Sequence, residues 1–252
     1  MKTKVTIVGF GIMGKAISKA ILKNDRKVKI FTIDKNKSNQ TQAIKNIKES
    51  DFLILAVKPQ NAQEAITGFK NYIYKNTILI SIMAGVSLKK LKYFSRHKKI
   101  IRMMPNLGIL VGEGIAAWKA AGLSGQDIKK AKNFINKITE NFEVKSEDAI
   151  NKVTAISGSG PAYFFLLADS LMKACGSLGL TKDESRKLVE KTFSASALLG
   201  ENSDYSNLIK KVASKKGTTE AALKVFTKSN FSGTVLKAVS AAYKRANEIS
   251  NE

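Results

Sequence analysis

The chain of 252 residues is 44% hydrophobic and 8% aromatic, enough to bury a real core in one large domain or two modest ones, which excludes a disordered or fibrous protein. Its 43 Lys and Arg against 20 Asp and Glu give a formal net charge of +23, which favours anionic partners in general. One cysteine, Cys175, excludes an internal disulfide and a thiolate metal cluster, and with His97 as the single histidine neither a zinc hydrolase nor Cys-His nucleophile chemistry is expected.

Taken in order, residues 3–9 read as a buried parallel strand that opens into a glycine turn and then a helix from Ile12 to about Leu22. Further strands are expected at Val28 to Ile33, Phe52 to Val57, Thr77 to Met83 and Lys99 to Met103. Helical stretches alternate with them, the pattern of a doubly wound, mostly parallel sheet in an α/β Rossmann domain over residues 1–150. His97, between Arg96 and Lys98, is expected on the surface.

After Ala149 no strand is expected, so residues 151–252 read as an all-helical domain. Gly158-Ser159-Gly160-Pro161 opens a long helix in which Phe164, Ala168, Leu171, Cys175 and Leu178 recur at helical spacing. Phe165, Leu166, Leu167 and Met172 add a second apolar face, which points to a subunit interface or, more blandly, to a central helix packed within one subunit.

The lysines lie in scattered pairs such as Lys89-Lys90, Lys98-Lys99, Lys210-Lys211 and Lys215-Lys216, without interleaved aromatic rings. That is the pattern of a solvated surface, so no nucleic-acid role is expected. No apolar run approaches the roughly 18 residues of a membrane span, and no secretory signal is visible. With cysteine so scarce, the expected compartment is the reducing cytoplasm, with no membrane association.

Gly9-Phe10-Gly11-Ile12-Met13-Gly14 fits the dinucleotide fingerprint G-x-G-x-x-G in its proper context, after a strand and before a helix. Gly9 serves the tight turn, Gly11 removes a side chain that would block the pyrophosphate, and Gly14 lets helix and strand approach. Asp34, twenty residues after Gly14, stands where an acid holds the ribose 2'-hydroxyl of NAD. Lys35 and Lys37 would soften its repulsion of a 2'-phosphate, so NADH and NADPH both stay open, with a lean to NADH.

Several segments together resemble the pyrroline-5-carboxylate reductase family: Ala56-Val57-Lys58-Pro59, Ser81 to Val86, Arg102 to Asn106, Val111 to Gly114, and Ser157 to Phe164. They follow the family order along nearly the whole chain. The resemblance implies a Rossmann domain, a helical dimerisation domain and an active site between the two. It implies hydride transfer from NADPH or NADH to the imine carbon of 1-pyrroline-5-carboxylate, giving proline, by homo-oligomers built of dimers that assemble into rings. Ala56, Val57, Lys58, Pro59 and Asn106 would line the cofactor. Ser214-Lys215-Lys216-Gly217-Thr218-Thr219 stands in place of the family motif S-P-G-G-T-T. By resemblance Ser214, Gly217 and Thr218 would surround the substrate carboxylate, and Thr219, the one candidate catalytic residue, would reach the ring nitrogen.

The chain departs from the family pattern in three places. Leu107-Gly108 replaces Thr-Pro after the M-P-N tripeptide, Lys215-Lys216 replaces Pro-Gly, and the interval from Ile33 to Phe52 is short, as though a helix and strand beside the adenosine were trimmed. These departures leave room for a related imine or hydroxyacid oxidoreductase, or for a binding protein that keeps the fold without turnover.

Overall fold

The computed structural model describes residues 2–34 and 39–251, so Lys35 and Lys37 lie outside the described residues. Among the described residues the strands β1 (Lys4–Val8), β2 (Lys29–Ile33), β3 (Phe52–Leu55), β4 (Ile78–Ser81), β5 (Ile100–Pro105), β6 (Ile115–Ala121) and β7 (Glu140–Glu143) form one sheet in the order β2-β1-β3-β4-β5-β6-β7. The helices are α1 (Ile12–Asn24), α2 (Gln40–Lys48), α3 (Ala62–Thr67), α4 (Leu88–Ser95), α5 (Gly125–Ile135), α6 (Glu147–Val153), α7 (Gly160–Ser177), α8 (Lys182–Gly200), α9 (Tyr205–Val212), α10 (Thr218–Lys228) and α11 (Phe231–Asn251).

The ladder from β2 through β5 is parallel, as the alternation of strands and helices predicts. β6 runs antiparallel to β5, and β7 is parallel to β6. These last two strands correct the sequence reading, which placed no strand after Met103. The interval between Ile33 and Phe52 carries the nine-residue helix α2, begun by the Asn39 side chain accepting from Thr41 and Gln42.

Alternation along the strands sends side chains to two cores, one on each face. Val5, Ile7, Phe52, Ile54, Ile78, Ile80 and Ile101 pack with α1 and α5 residues, and Phe52 stacks on Phe134 with ring centroids 3.9 Å apart. Val8, Leu53, Leu55, Leu79 and Ile100 pack on the other face with Ile47, Ile66 and Leu91. A sheet buried on both sides needs unbroken apolar strands, which is why β3 and β4 contain no charge.

His97 is buried, at 8% exposure, against the expectation of a surface residue. Arg96 caps α4 in the left-handed region with φ 53°, and that turn carries the next residue inward. The Nε2 of His97 lies 2.7 Å from the Thr77 carbonyl oxygen; a carbonyl only accepts, so Nε2 carries the proton and donates it. Burial lowers the His97 pKa below its ordinary value, the Thr77 contact opposing and the Lys99 charge adding to that shift. The neutral ring therefore belongs to the fold, and the unfolded chain takes up a proton first. Stability is expected to fall as the pH drops from the unfolded value near 6.5 towards the lowered folded one. Thermal unfolding of the wild type and of His97→Gln between pH 7.5 and 5 checks this: equal pH slopes would remove His97 from the account.

The chain divides into two compact units, residues 1–159 with 241–252 and residues 160–240. Within the first unit a polar network draws the end of α11 onto the sheet. Arg102, 2% exposed in the middle of β5, donates from Nη1 to Glu147 at 3.0 Å and from Nη2 to Asn151 at 2.7 Å and Ser250 at 3.5 Å. Asn151 donates to Asn247 at 2.8 Å, and the Tyr243 hydroxyl donates to Asp148. Gly85 has φ +72°, and a Cβ there would be driven into the side chain of Ile249, so this close approach needs glycine.

In the second unit several large apolar side chains of α7 lie bare. Phe164, Phe165 and Leu166 are more than 60% exposed within the single chain, which sets aside the reading of α7 as a helix packed inside one subunit. A π-helical turn at Thr154–Gly158 precedes α7. Among the described residues, no helix is long and apolar enough to cross a membrane.

Candidate active site

The sheet changes direction between β1 and β3: the chain leaves β1 towards β2 on one side and returns to β3 on the other. Ligands of open α/β sheets bind in the crevice at the carboxyl ends of strands flanking such a point. Gly9 follows β1 and Ala56 follows β3, so both lie at that crevice. The Gly9 N–H donates to the Ile33 carbonyl at 2.8 Å, and the Ala56 N–H to the Val8 carbonyl at 2.8 Å. Gly9 has φ +92°, and a Cβ on it would lie 2.7 Å from the Ala56 carbonyl oxygen and 2.9 Å from Val57 Cγ1. The fold thus brings Gly9 of the fingerprint against Ala56 and Val57, two segments far apart in the sequence.

The other two glycines differ from each other. A Cβ on Gly14 would run into the Gly9 carbonyl oxygen, so Gly14 serves the packing of α1 on the turn. A Cβ on Gly11 meets nothing within 4 Å. Nothing in the protein requires glycine at position 11, and its bare, exposed face leaves the start of α1 open to a ligand. Gly11 is the N-cap of α1, with no side-chain cap and no acidic residue in the first turn. The first N–H groups and the helix dipole are of the kind that suits an anion, and they fit a dinucleotide pyrophosphate. Phe10 and Met13 are half-buried, and Ile12 is exposed at 68%.

Asp34 directly follows β2, beside the Gly9 to Ile33 hydrogen bond, and is half-buried. Lys58 is exposed and precedes Pro59, which opens a 3-10 turn over Pro59–Asn61. Asn106 ends β5 in a way the sequence does not reveal. Its Oδ1 accepts from Gly108 at 3.2 Å and from Ile115 at 3.1 Å, closing the loop of Leu107–Leu110 and Gly114 like a clasp. With Oδ1 used twice, the Nδ2 amide N–H groups are the donors of this side chain open to a ligand. Gly108 also explains one departure from the family pattern: a proline there would have no N–H for Asn106, and a Cβ would collide with the Glu113 carbonyl.

Ser214, Gly217, Thr218 and Thr219 come together in one turn of the second unit, at the start of α10. The Gly217 N–H donates to the Ser214 carbonyl at 3.0 Å, and a Cβ on Gly217 would strike Ser214 Oγ. Gly217 is the N-cap and no side chain caps the helix, so the first N–H groups of α10 face outward beside the hydroxyls. Lys216 holds the left-handed conformation, φ 60°, at the position where the family motif has glycine. Its N–H is taken by the Glu220 carboxylate, whose pKa is lowered by the Lys224 side chain first and by this N–H second. Glu220 thus holds the turn at Lys215-Lys216, where the family motif has Pro-Gly.

Among the described residues no group of His, Cys, Asp and Glu could hold a metal ion. Arg102 and Glu147 form an ion pair in the first unit, away from the candidate cofactor residues, that the sequence reading did not single out. Their signal was the Arg of the R-x-M-P-N segment, an arginine inside an apolar strand, which needs a buried partner.

A family model described as pyrroline-5-carboxylate reductase dimerisation matches residues 147–249, and one described as NADP oxidoreductase coenzyme F420-dependent matches residues 4–85. The first of these spans the bare apolar face of α7, which fits a homo-oligomer. The pyrroline-5-carboxylate reductase of Aquifex aeolicus is 33% identical, over 98% of this chain and 97% of its own. That of Haemophilus influenzae is 32% identical, over 97% of each. The crystal structure of Plasmodium falciparum pyrroline carboxylate reductase with NADP bound superposes with a TM-score of 0.88 at 30% identity, covering 99% of both chains. With such similarity from end to end, the chain belongs to the pyrroline-5-carboxylate reductase family.

Proposed function

We propose that this protein reduces 1-pyrroline-5-carboxylate to L-proline, the last step of proline biosynthesis, with NADPH or NADH as reductant. The observation that carries the reading is the open face of Gly11 at an uncapped helix start, set at the strand switch and paired with full-length similarity to reductases of this name. The bound nicotinamide cofactor supplies the hydride. Hydride adds to the imine carbon, the C=N π electrons pass to nitrogen, and nitrogen gains one proton in total.

Each group of residues has a role that follows from its chemistry. The turn from Gly9 to Gly14 and the start of α1 hold the pyrophosphate, with Phe10, Ile12 and Met13 shaping the turn and Asp34 at the ribose. Lys35 belongs to the same proposed set. Ala56, Val57, Lys58 and Pro59 wall the cofactor beside Gly9, and Asn106 offers its amide N–H there. Ser214, Gly217 and Thr218 cradle the substrate carboxylate with hydroxyls and helix N–H groups. Thr219 orients the imine nitrogen through its hydroxyl. A protonated imine is reactive enough that alignment and exclusion of water suffice, which accounts for a site without catalytic histidine or cysteine.

The acting form is proposed to be a dimer, joined through α7, with rings of dimers as the larger assembly, in the cytoplasm. It is proposed to act on a small molecule and to have no nucleic-acid partner.

The test is oxidation of NADPH and of NADH, followed by absorbance, with 1-pyrroline-5-carboxylate supplied. Wild-type protein is expected to turn over with at least one cofactor. Thr219→Ala is expected to lose about tenfold in kcat/KM, the loss of one hydrogen bond to a partly charged nitrogen. No turnover with either cofactor, with both still bound, would refute the assignment.

A further inference from the structure

A cavity of about 910 Å³ opens on the first unit between α4, α6 and the end of α11, and none of the candidate cofactor residues lines it. Its α4 wall carries Lys89, Lys90, Lys92 and Tyr93. Arg102 lies at 2% exposure on the same lining, with Asn151, Asn247 and Ser250 beside it. The two acids of the lining are already engaged. Glu147 is held by Arg102 and by the Leu88 N–H, and Asp148 by Lys152 and the Tyr243 hydroxyl.

Among the described residues, Lys89, Lys90 and Lys92 form no ion pair; Lys90 reaches the Ile249 carbonyl at 3.5 Å. The hydrogen bonds of Arg102 use one donor of Nη1 and two of Nη2, leaving two of the five guanidinium N–H groups without an acceptor among the described residues.

This placement works against the fold itself. Lys89 and Lys90 stand in the first turn of α4, where the helix dipole disfavours cations, and Lys89 repels Lys92 three residues on. A general coding bias towards lysine does not gather three unpaired ammonium groups over a buried guanidinium in one concavity. A polyanion neutralises all of them at once. The volume suits a small molecule, not a polymer.

We propose that this cavity is a second ligand site, for a small metabolite bearing a di- or triphosphate group. Lys89, Lys90 and Lys92 pair with the phosphate oxygens, the free donors of Arg102 meet the innermost of them, and exposed Tyr93 flanks the rest of the ligand. Ser87, the N-cap of α4, belongs to the same lining and follows the Gly85-Val86 segment directly, so an occupant touches the helix that begins there. The inference is independent of which substrate the enzyme reduces.

The probe is inorganic tripolyphosphate, titrated calorimetrically into the protein saturated with NADPH, so that the dinucleotide turn is already filled, in 150 mM salt. One saturable site per chain is expected. Lys89→Ala with Lys92→Ala removes two exposed side chains without touching the core, and is expected to weaken the site about tenfold or more. Lys129→Ala with Lys132→Ala on α5 removes the same charge elsewhere and is expected to leave affinity unchanged. Absence of saturable binding, or equal weakening in both double variants, overturns the proposal: the first denies a site, the second reduces it to diffuse attraction by a basic protein.

Discussion

Replacing Gly11 with alanine will weaken NADPH and NADH binding about a hundredfold while the protein stays folded. The new methyl group meets no protein atom within 4 Å, and the backbone at position 11, φ −74° and ψ −160°, is open to alanine. The folded state loses at most about 1 kcal/mol, because alanine caps a helix less well than glycine. What the methyl group does meet is the space over the first N–H groups of α1, where a pyrophosphate must make contact. Losing two hydrogen bonds to charged oxygens, each worth about 1.5 kcal/mol, amounts to that hundredfold. Fluorescence titration with each cofactor, alongside thermal unfolding, separates the two effects. Unchanged affinity would mean that the dinucleotide does not cross the turn at Gly11. Gly14→Ala is a poor substitute, since its methyl group collides with the Gly9 carbonyl and disturbs the turn itself.

Glutamate at Phe165 will split the proposed dimer. Phe164, Phe165 and Leu166 lie more than 60% exposed along α7, and Leu198 and Leu199 of α8 are as bare. Such a face is far more apolar than a monomer surface tolerates. In a two-fold interface each substitution occurs twice, so two unpaired carboxylates must be desolvated together, at about 3 kcal/mol or more each. The dissociation constant should rise at least a thousandfold. Sedimentation equilibrium at micromolar concentration reads this directly. A variant of unchanged mass would place the interface elsewhere, and a monomeric wild type would dispose of it altogether.

The first five strands were legible because each is a short stretch dominated by apolar residues and closed by Gly, Pro or a polar turn. The last two were not. β6 is rich in alanine, whose strand propensity is low, and it is a strand because β5 offers it a ladder from Ile100↔Ala121 to Pro105↔Ala116. β7 reads Glu-Asn-Phe-Glu, an edge strand whose acids face water; the Trp118 indole donating to Asn141 at 2.9 Å helps pin it. His97 misled for the same reason: charged neighbours describe a surface, and only the left-handed turn at Arg96 reveals that the ring points inward.

At the candidate site, local motifs could be read and long-range contacts could not. The fingerprint glycines announce a turn before a helix whatever lies around them. That Gly9 abuts Ala56 and Val57 depends on β1 pairing with β3, which no local pattern encodes. Asn106 was read as a cofactor neighbour from its motif, whereas its clasp on Gly108 and Ile115 shows why the motif ends in an amide. The left-handed Lys216 could not be read from the sequence, because lysine gives no local signal for a positive φ.

The first unit is discontinuous along the chain, since residues 241–252 rejoin residues 1–159 across the 160–240 segment. The buried Arg102 thus has one set of partners on α6 and another, through Ser250, that is translated much later. On the ribosome, the first unit can therefore fold its sheet early but must wait, with Gly85 uncovered and part of its buried polar network unsatisfied, until the whole intervening segment has been made. Synthesis of the helical segment becomes a timer on completion of the other unit, and a nascent chain stalled within it presents an unfinished face to chaperones.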